Sequence, residues 1–177
     1  MNFPAEVLMK NKETEQLVYL AKTRDKDAFA ELIRRNMTQM YKVSLSILMN
    51  DEDVADAIQD SILNCWEKIS TLREEKYFST WLIRILINNC YAILNDRKRY
   101  TDLSEWEEPV SEDEYNIELK EAMSKLDEKY RLVMTLYYVY DYKTSEIAEL
   151  AGLSKSTVTT RLQRGREILA KYYGDFR

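Results

Sequence analysis

The sequence predicts an all-α protein made of two small helical domains on an acidic flexible linker, and three observations carry that prediction. Only three Gly and two Pro occur in 177 residues, while Leu, Ile, Glu, Lys and Tyr are abundant, which favours helix with few tight turns. No stretch shows convincing strand alternation. Charge is also divided unevenly, with eight acidic and no basic side chains in residues 101–118 and near balance on either side. Hydrophobic residues make up 45% and aromatic residues 11%, enough to build a core in each half.

Residues 1–100 read as a helical bundle with helices over about 13–22, 26–48, 51–69 and 77–98. In the third helix Asp51 is the expected N-cap and Asp53 suits the first turn, while Val54, Ile58, Ile62, Cys65, Trp66 and Ile69 line the core. Asp56, Gln59, Asp60 and Glu67 are left outside. In the fourth, Phe78, Trp81, Leu82, Ile85, Leu86, Asn89 and Ile93 follow the helical period, with Arg84, Asn88 and Asn95 elsewhere. Arg97, Lys98 and Arg99 close its C-terminus, where cations suit the macrodipole without any ligand.

Residues 101–116 read as the linker, because like charges repel and Pro109 interrupts any helix. Trp106, the odd aromatic there, is expected to dock on a neighbouring surface. In residues 117–177, Ile117, Leu119, Met123 and Leu126 suggest a short helix, and Asp127 is placed to cap another that presents Leu132, Val133, Leu136, Tyr137 and Tyr140. Two further helices follow with the outline of a helix-turn-helix: one over 143–151, a reversal at Gly152 that needs positive φ, and one capped by Ser154. On the last helix Val158, Leu162, Gly165, Leu169 and Tyr172 share a face, while Ser156, Thr160, Gln163 and Arg164 point away. Thr157, Thr159, Arg161 and Arg166 lie on the flanks.

Composition argues against several functions. The absence of His excludes a mixed Cys/His zinc site and removes the usual general base. With no Gly-rich phosphate loop either, the chain is read as a non-enzyme without cofactor or metal site. Cys65 and Cys90 are too few for a disulfide framework and read as core thiols in a reducing compartment. No run of about 18 apolar residues and no signal-peptide pattern occur, so a cytoplasmic location is expected. The net charge of −5 opposes tight binding to free DNA, yet Lys155 to Lys171 carries five basic residues against Glu167 alone.

Two pairs of motifs point to one family. The first is Asp53-Val-Ala-Asp-Ala-Ile-Gln-Asp-Ser-Ile-Leu-Asn-Cys-Trp66 followed by Phe78-Ser-Thr-Trp-Leu-Ile-Arg-Ile-Leu-Ile-Asn88. The second is Leu126-Asp-Glu-Lys-Tyr-Arg131 followed by Glu146-Ile-Ala148 and Thr157-Val-Thr-Thr-Arg-Leu-Gln-Arg-Gly-Arg166. Over roughly residues 25–173 the chain resembles the extracytoplasmic-function (ECF) branch of the bacterial sigma-70 family, which keeps the second and fourth conserved regions joined by a linker. The resemblance implies an RNA polymerase sigma factor that directs core polymerase to promoters.

By that resemblance the helix from Asp53 docks on the β′ clamp helices of core polymerase, and Asp56, Gln59, Asp60 and Glu67 supply an acidic-biased stripe suited to a basic partner. Taken alone, such a stripe is an ordinary solvated face. Residues 72–88 resemble the part that opens the −10 element. Leu72 and Tyr77 can pocket or stack on a base, Asn88 can bond its edge, and Arg73, Lys76 and Arg84 can hold the backbone. Phe78 and Trp81 fit the buried stripe instead. The last helix resembles the −35 reader, with Lys155, Ser156, Thr157, Thr160, Arg161 and Arg164 as candidates for base edges or phosphates. The competing reading, a surface helix laced with salt bridges, has few acidic partners to draw on.

The partners implied by resemblance are core polymerase at its β′ clamp and β flap, promoter DNA, and an anti-sigma factor, often membrane-anchored. Where the family often has a basic residue after Thr-Val this chain has Thr159, and Gly165 stands where Ala is usual. Lys143 precedes Thr144 where Ser is usual, and Ile62 replaces a common Phe. The rival reading is a stand-alone helix-turn-helix regulator that binds an operator as a dimer.

Overall fold

In the computed structural model the described backbone comprises residues 5–100, 121 and 123–173, with side chains described over 13–97, 121 and 123–172. Every regular element among them is helical: α1 (Ala5–Lys22), α2 (Lys26–Leu48), α3 (Asp51–Lys68), α4 (Phe78–Tyr100), α5 (Glu128–Met134), α6 (Thr144–Ala151) and α7 (Lys155–Tyr173). Single 3-10 turns at Ile69–Thr71 and Glu75–Tyr77 join α3 to α4, and a π turn at Thr135–Val139 extends α5. The acidic linker and Trp106 lie outside the described residues, as does most of the short helix expected around 117–126.

The first four helices form the expected bundle. α1 begins eight residues earlier than the apolar spacing suggests, because residues 5–12 are mostly good helix formers that lack a clear apolar stripe. Asp25 caps α2 by accepting from the Ala28 N–H at 2.9 Å. Asn50 caps α3, accepting from the Asp53 N–H at 2.9 Å, so Asp51 is the first helical residue and not the cap. It still favours the N-terminus through the macrodipole, together with Glu52 and Asp53. Asn50→Ala is expected to cost about 1 kcal/mol. Urea unfolding measures it, and an unchanged midpoint would mean that the cap is idle.

The buried side of α3 is Val54, Ala57, Ser61 and Cys65, continuing to Ile69, while Ile58, Ile62 and Trp66 are only half-buried. Small residues at 57 and 61 let α4 approach closely, which turns the bulky Ile58 and Ile62 toward the rim. Asn89 on α4 fills that approach, donating to the Ser61 hydroxyl at 2.9 Å and accepting from Asn64 at 3.4 Å. Trp66 is held by Arg24, which donates to the Trp66 carbonyl at 2.6 Å and lies over its ring at 5.1 Å. On α4, Phe78, Leu82, Ile83, Leu86, Ile87 and Cys90 are buried. This apolar surface is wider than one stripe because α4 is covered by α2, α3 and also α6.

Cys65 and Cys90 are free, and burial pushes both thiols up to about 12. Unfolded thiols ionise near pH 8.5, so whatever stability their neutrality contributes is full below that pH and falls as pH rises through it. Iodoacetamide at pH 8 is expected to leave both unmodified in the folded chain and to label both in urea. Rapid labelling of either in buffer would contradict the packing.

The helix-turn-helix half packs onto the bundle, a contact that the sequence reading of separate domains did not foresee. α5 lies against α2, and α6 against α4. At the centre Arg131, 6% exposed, donates from Nε to the Ser46 carbonyl at 2.8 Å and from Nη2 to the Ile47 carbonyl at 3.5 Å. Its Nη1 donates to the Leu126 carbonyl within its own half. Gln39 donates to the Tyr142 hydroxyl at 3.1 Å at the edge of the same interface.

Candidate nucleic-acid and polymerase interfaces

Helix α7 is set by its turn. Gly152 takes φ 64°, and the Leu153 N–H donates to the Ala148 carbonyl at 2.8 Å, closing α6 in the reversal that Gly permits. At the other end of α6, where Ser is usual, the Lys143 N–H donates to Glu146 Oε2 at 2.7 Å, so half of a capping box survives without the hydroxyl. Ser154 Oγ accepts from the Thr157 N–H at 3.1 Å, as its cap position requires. Asp127 occupies the N-cap position of α5 without capping it through its side chain, and its carboxylate pairs with Lys129 at 3.2 Å instead.

Val158, Leu162, Gly165 and Leu169 face inward on α7. Tyr172, assigned to that face from spacing, is 60% exposed, since this end of the helix outruns the small core beneath it. Gly165 has a local reason: a Cβ there would lie 3.1 Å from Met134 Cγ and Sδ. The missing methyl makes room for the methionine.

Outward stand Lys155, Ser156, Thr160 and Arg164, all exposed, with Thr157 and Arg161 half-buried at the edge. Ser156, Thr157, Thr160, Arg161 and Arg164 line one shallow recess with Lys129 and Tyr130 of α5. Three cations and three aliphatic hydroxyls therefore converge on one surface, a donor-rich set suited to phosphates and base edges. The Thr160 hydroxyl is back-bonded to the Ser156 carbonyl at 3.0 Å, and Ser156 and Thr157 share the Ser154 hydroxyl at 2.9 and 2.7 Å. Burial raises the pKa of Tyr91, and the Arg161 charge opposes that rise.

The residues assigned to the −10 element divide. Arg73, Lys76, Tyr77, Arg84 and Asn88 are exposed along the loop and α4, whereas Leu72 is 7% exposed and belongs to the core. Its N–H closes the preceding 3-10 turn onto the Ile69 carbonyl at 3.2 Å, which swings the side chain inward. Tyr77 is 51% exposed with the Lys76 ammonium 4.8 Å from its ring centroid, a cation beside an accessible aromatic face. Lys22 anchors the loop through Glu75 at 2.6 Å, a bond that also holds the Glu75 carboxyl below its ordinary pKa. Phe78 is fully buried and Trp81 half-buried, as the core assignment requires.

On α3, Asp56, Gln59, Asp60 and Glu67 are all exposed. Sequence reasoning missed their apolar companion: Leu63, 57% exposed, lies on the same helical line and borders an apolar groove with Tyr41, Val54, Ile58 and Ile62. The signal was present in the spacing, since 56, 60, 63 and 67 recur at helical period. The stripe is therefore mixed, with acids flanking a hydrophobic ridge, and not purely polar.

The structure thus joins a helical bundle that carries an exposed loop to a helix-turn-helix whose last helix has a cationic outer face. Residues 32–100 match the family model described as Sigma-70 region 2, and residues 116–169 match that described as Sigma-70, region 4. The chain belongs to the ECF branch of the sigma-70 family and is an RNA polymerase sigma factor, directing transcription initiation and performing no catalysis of its own. It is 28% identical over 134 residues to the RNA polymerase sigma factor SigV of Bacillus subtilis (strain 168), covering 73% of this chain and 81% of that one. It is likewise 28% identical over 171 residues to the ECF sigma factor SigW of the same organism, covering 85% and 91%. In fold it is similar to the sigma factor RpoE from Bartonella quintana, solved with the anti-sigma factor NepR, at TM-score 0.74 and 18% identity over 84% of this chain and 98% of that one. CnrH, solved with the cytosolic domain of CnrY, gives TM-score 0.66 and 22% identity over 90% and 96%. Among the described residues no helix is long and apolar enough to cross a membrane.

Proposed function

We propose that residues 1–100 bind core polymerase and open the −10 element, that residues 101–116 tether them, and that residues 117–177 read the −35 element. The observation that carries this division of labour is the convergence of Ser156, Thr157, Thr160, Arg161 and Arg164 beside Lys129 on the outer side of α7. Lys155 extends the same cationic face at its N-terminal end. Arg73, Lys76, Tyr77, Arg84 and Asn88 hold the displaced −10 strand by stacking, edge hydrogen bonds and backbone charge, and Leu72 supports the loop from beneath. Because a binder indifferent to closed and open DNA shifts nothing, melting follows from the preference of this loop for the single strand. Two weak contacts on one tether reinforce each other once polymerase holds both halves.

Asp56, Gln59, Asp60 and Glu67, with Leu63 among them, form the surface for the β′ clamp, and the second half engages the β flap. The protein acts in the cytoplasm, where polymerase and promoter meet. An anti-sigma factor covers the α3 face or wedges between the halves, a reading supported by the structural relative solved with the anti-sigma factor NepR. Multi-round run-off transcription with purified core enzyme, with and without the chain, tests the whole. Leu63→Asp is expected to lower run-off product about tenfold or more by placing a charge in the apolar centre of the contact. Helical circular dichroism stays unchanged in this variant. Full activity of Leu63→Asp would remove α3 from the polymerase surface.

A further inference from the structure

We propose that the corner between α1 and α2 is a bracket that holds the −10 loop in its strand-capturing shape, with Lys22 and Arg24 as positioning residues; this rests on the assignment of that loop above. The corner itself is tightly closed. The Asp25 N–H donates to the Leu20 carbonyl at 3.2 Å and the Arg24 N–H to the Ala21 carbonyl at 3.0 Å, the paired bonds of a Schellman motif. The Thr23 hydroxyl also donates to the Leu20 carbonyl, at 2.7 Å, and Asp25 then caps α2. Arg24 takes φ 72° at the position where such a motif favours glycine. An arginine there strains the backbone, and what it adds over glycine is its side chain.

That side chain reaches the near end of the connection between α3 and α4. Arg24 Nη1 donates to the Trp66 carbonyl at 2.6 Å, and the guanidinium lies 5.1 Å from the Trp66 ring centroid. The Trp66 carbonyl is one of the last four of α3, which have no partner within the helix and carry the negative end of its dipole. Trp66 also packs on Phe29 of α2, with ring centroids 4.9 Å apart. Lys22, in the same corner, takes the far end: its ammonium pairs with Glu75 at 2.6 Å, the two side chains being only 19% and 33% exposed. Between these points Leu72 is buried in the core. The connection is thus fixed at its start, middle and end, and two of the three fixings come from a corner 42 and 53 residues earlier in the chain.

The groups left outward are those that the −10 assignment uses. Arg73 is exposed between Leu72 and Glu75, and Tyr77 follows shortly after Glu75, its N–H closing the turn onto the Glu74 carbonyl at 3.1 Å. Lys76 pairs with Glu74 at 2.7 Å and stands 4.8 Å from the Tyr77 ring centroid. Without the bracket, the loop would have to order these groups at the moment of capture, and each side chain immobilised then subtracts from affinity for the strand. Closed duplex offers no extruded base, so the loss falls on the open state alone and lowers opening. Lys22 is engaged by Glu75 and Arg24 by Trp66, and both act through the loop without touching DNA.

The first readout uses the free full-length chain, so it does not depend on which residues touch the promoter. Trypsin cleavage after Arg73, followed by mass spectrometry, is expected to be slow in the parent and about tenfold faster in Lys22→Met, which keeps an apolar stem and removes the charge. Arg24→Asn, an exchange that tolerates positive φ, is expected to speed the same cleavage. Lys22→Arg keeps the ion pair and is expected to be cleaved like the parent. The second readout is permanganate reactivity of −10 thymines with core enzyme. Lys22→Met is expected to lower opening about fivefold with unchanged affinity for core, and Lys22→Arg to preserve it. If Lys22→Met loses helical circular dichroism, Arg24→Asn decides both readouts. Slow cleavage in folded Lys22→Met and Arg24→Asn, fast cleavage with undiminished opening, or Lys22→Arg behaving like Lys22→Met overturns the proposal. Full opening by Tyr77→Ala would instead count against the assigned −10 surface, while cleavage after Arg73 still judges the bracket.

Discussion

Phe78→Ala is expected to cost about 3–5 kcal/mol of folding free energy, a large share of the stability of a chain this size. Phe78 opens α4 and is completely buried, with its ring 6.4 Å from that of Trp81 and tilted by 48°. Truncation leaves a cavity beneath the junction of the loop and α4. That junction sets the direction of Tyr77 on one side and of Arg84 six residues along, so the proposed −10 opening is expected to fall along with stability. Urea unfolding followed by circular dichroism measures the first effect, and permanganate reactivity of promoter thymines with core enzyme measures the second. A loss below about 1 kcal/mol would show that the ring is not part of the core.

Arg161→Ala combined with Arg164→Ala is expected to lower −35-dependent initiation about a hundredfold, taking each arginine as worth about tenfold if it holds a base or phosphate. Both line the recess beside Lys129, and among residues 155–171 only Glu167 is acidic, where Gln163 already engages it at 3.0 Å. The arginines are therefore not consumed by structural ion pairs within their own helix. The two single variants separate their roles. A phosphate contact weakens binding to every sequence and flattens its salt dependence, whereas a base contact relaxes discrimination at one position. Run-off from a promoter with its −35 element scrambled supplies the reference. Equal activity of the double variant and the parent on the intact promoter would move the reader surface elsewhere.

Local patterns made most of the helices legible in the residues. α2 runs from 26 to 48 and α6 ends at the Gly152 reversal, because caps, helix formers and a positive-φ glycine act over a few residues and leave their mark in spacing. The outward stripe of α3 and the cationic face of α7 were readable for the same reason. Leu72 was not, since a leucine in a loop looks alike whether it points to solvent or closes a 3-10 turn onto the core. Tyr172 failed in the opposite way: helical period assigned it a face, but burial also needs something opposite that face.

What the amino-acid order determined by itself was the set of helices, the chemistry on each face and the family to which they belong. The tertiary structure alone decided how the faces meet. The rotation of α3 toward Ala57 and Ser61 depends on how closely α4 can approach, and the coverage of α4 on a further side depends on α6. Arg131 shows the distinction most clearly. In the sequence it is one cation in a short motif, while in the fold it is the buried partner of two carbonyls that α2 leaves open. Periodicity records which residues share one helix, but a hydrogen bond spanning 85 positions leaves no periodic trace, because it depends on chain segments that only packing brings together.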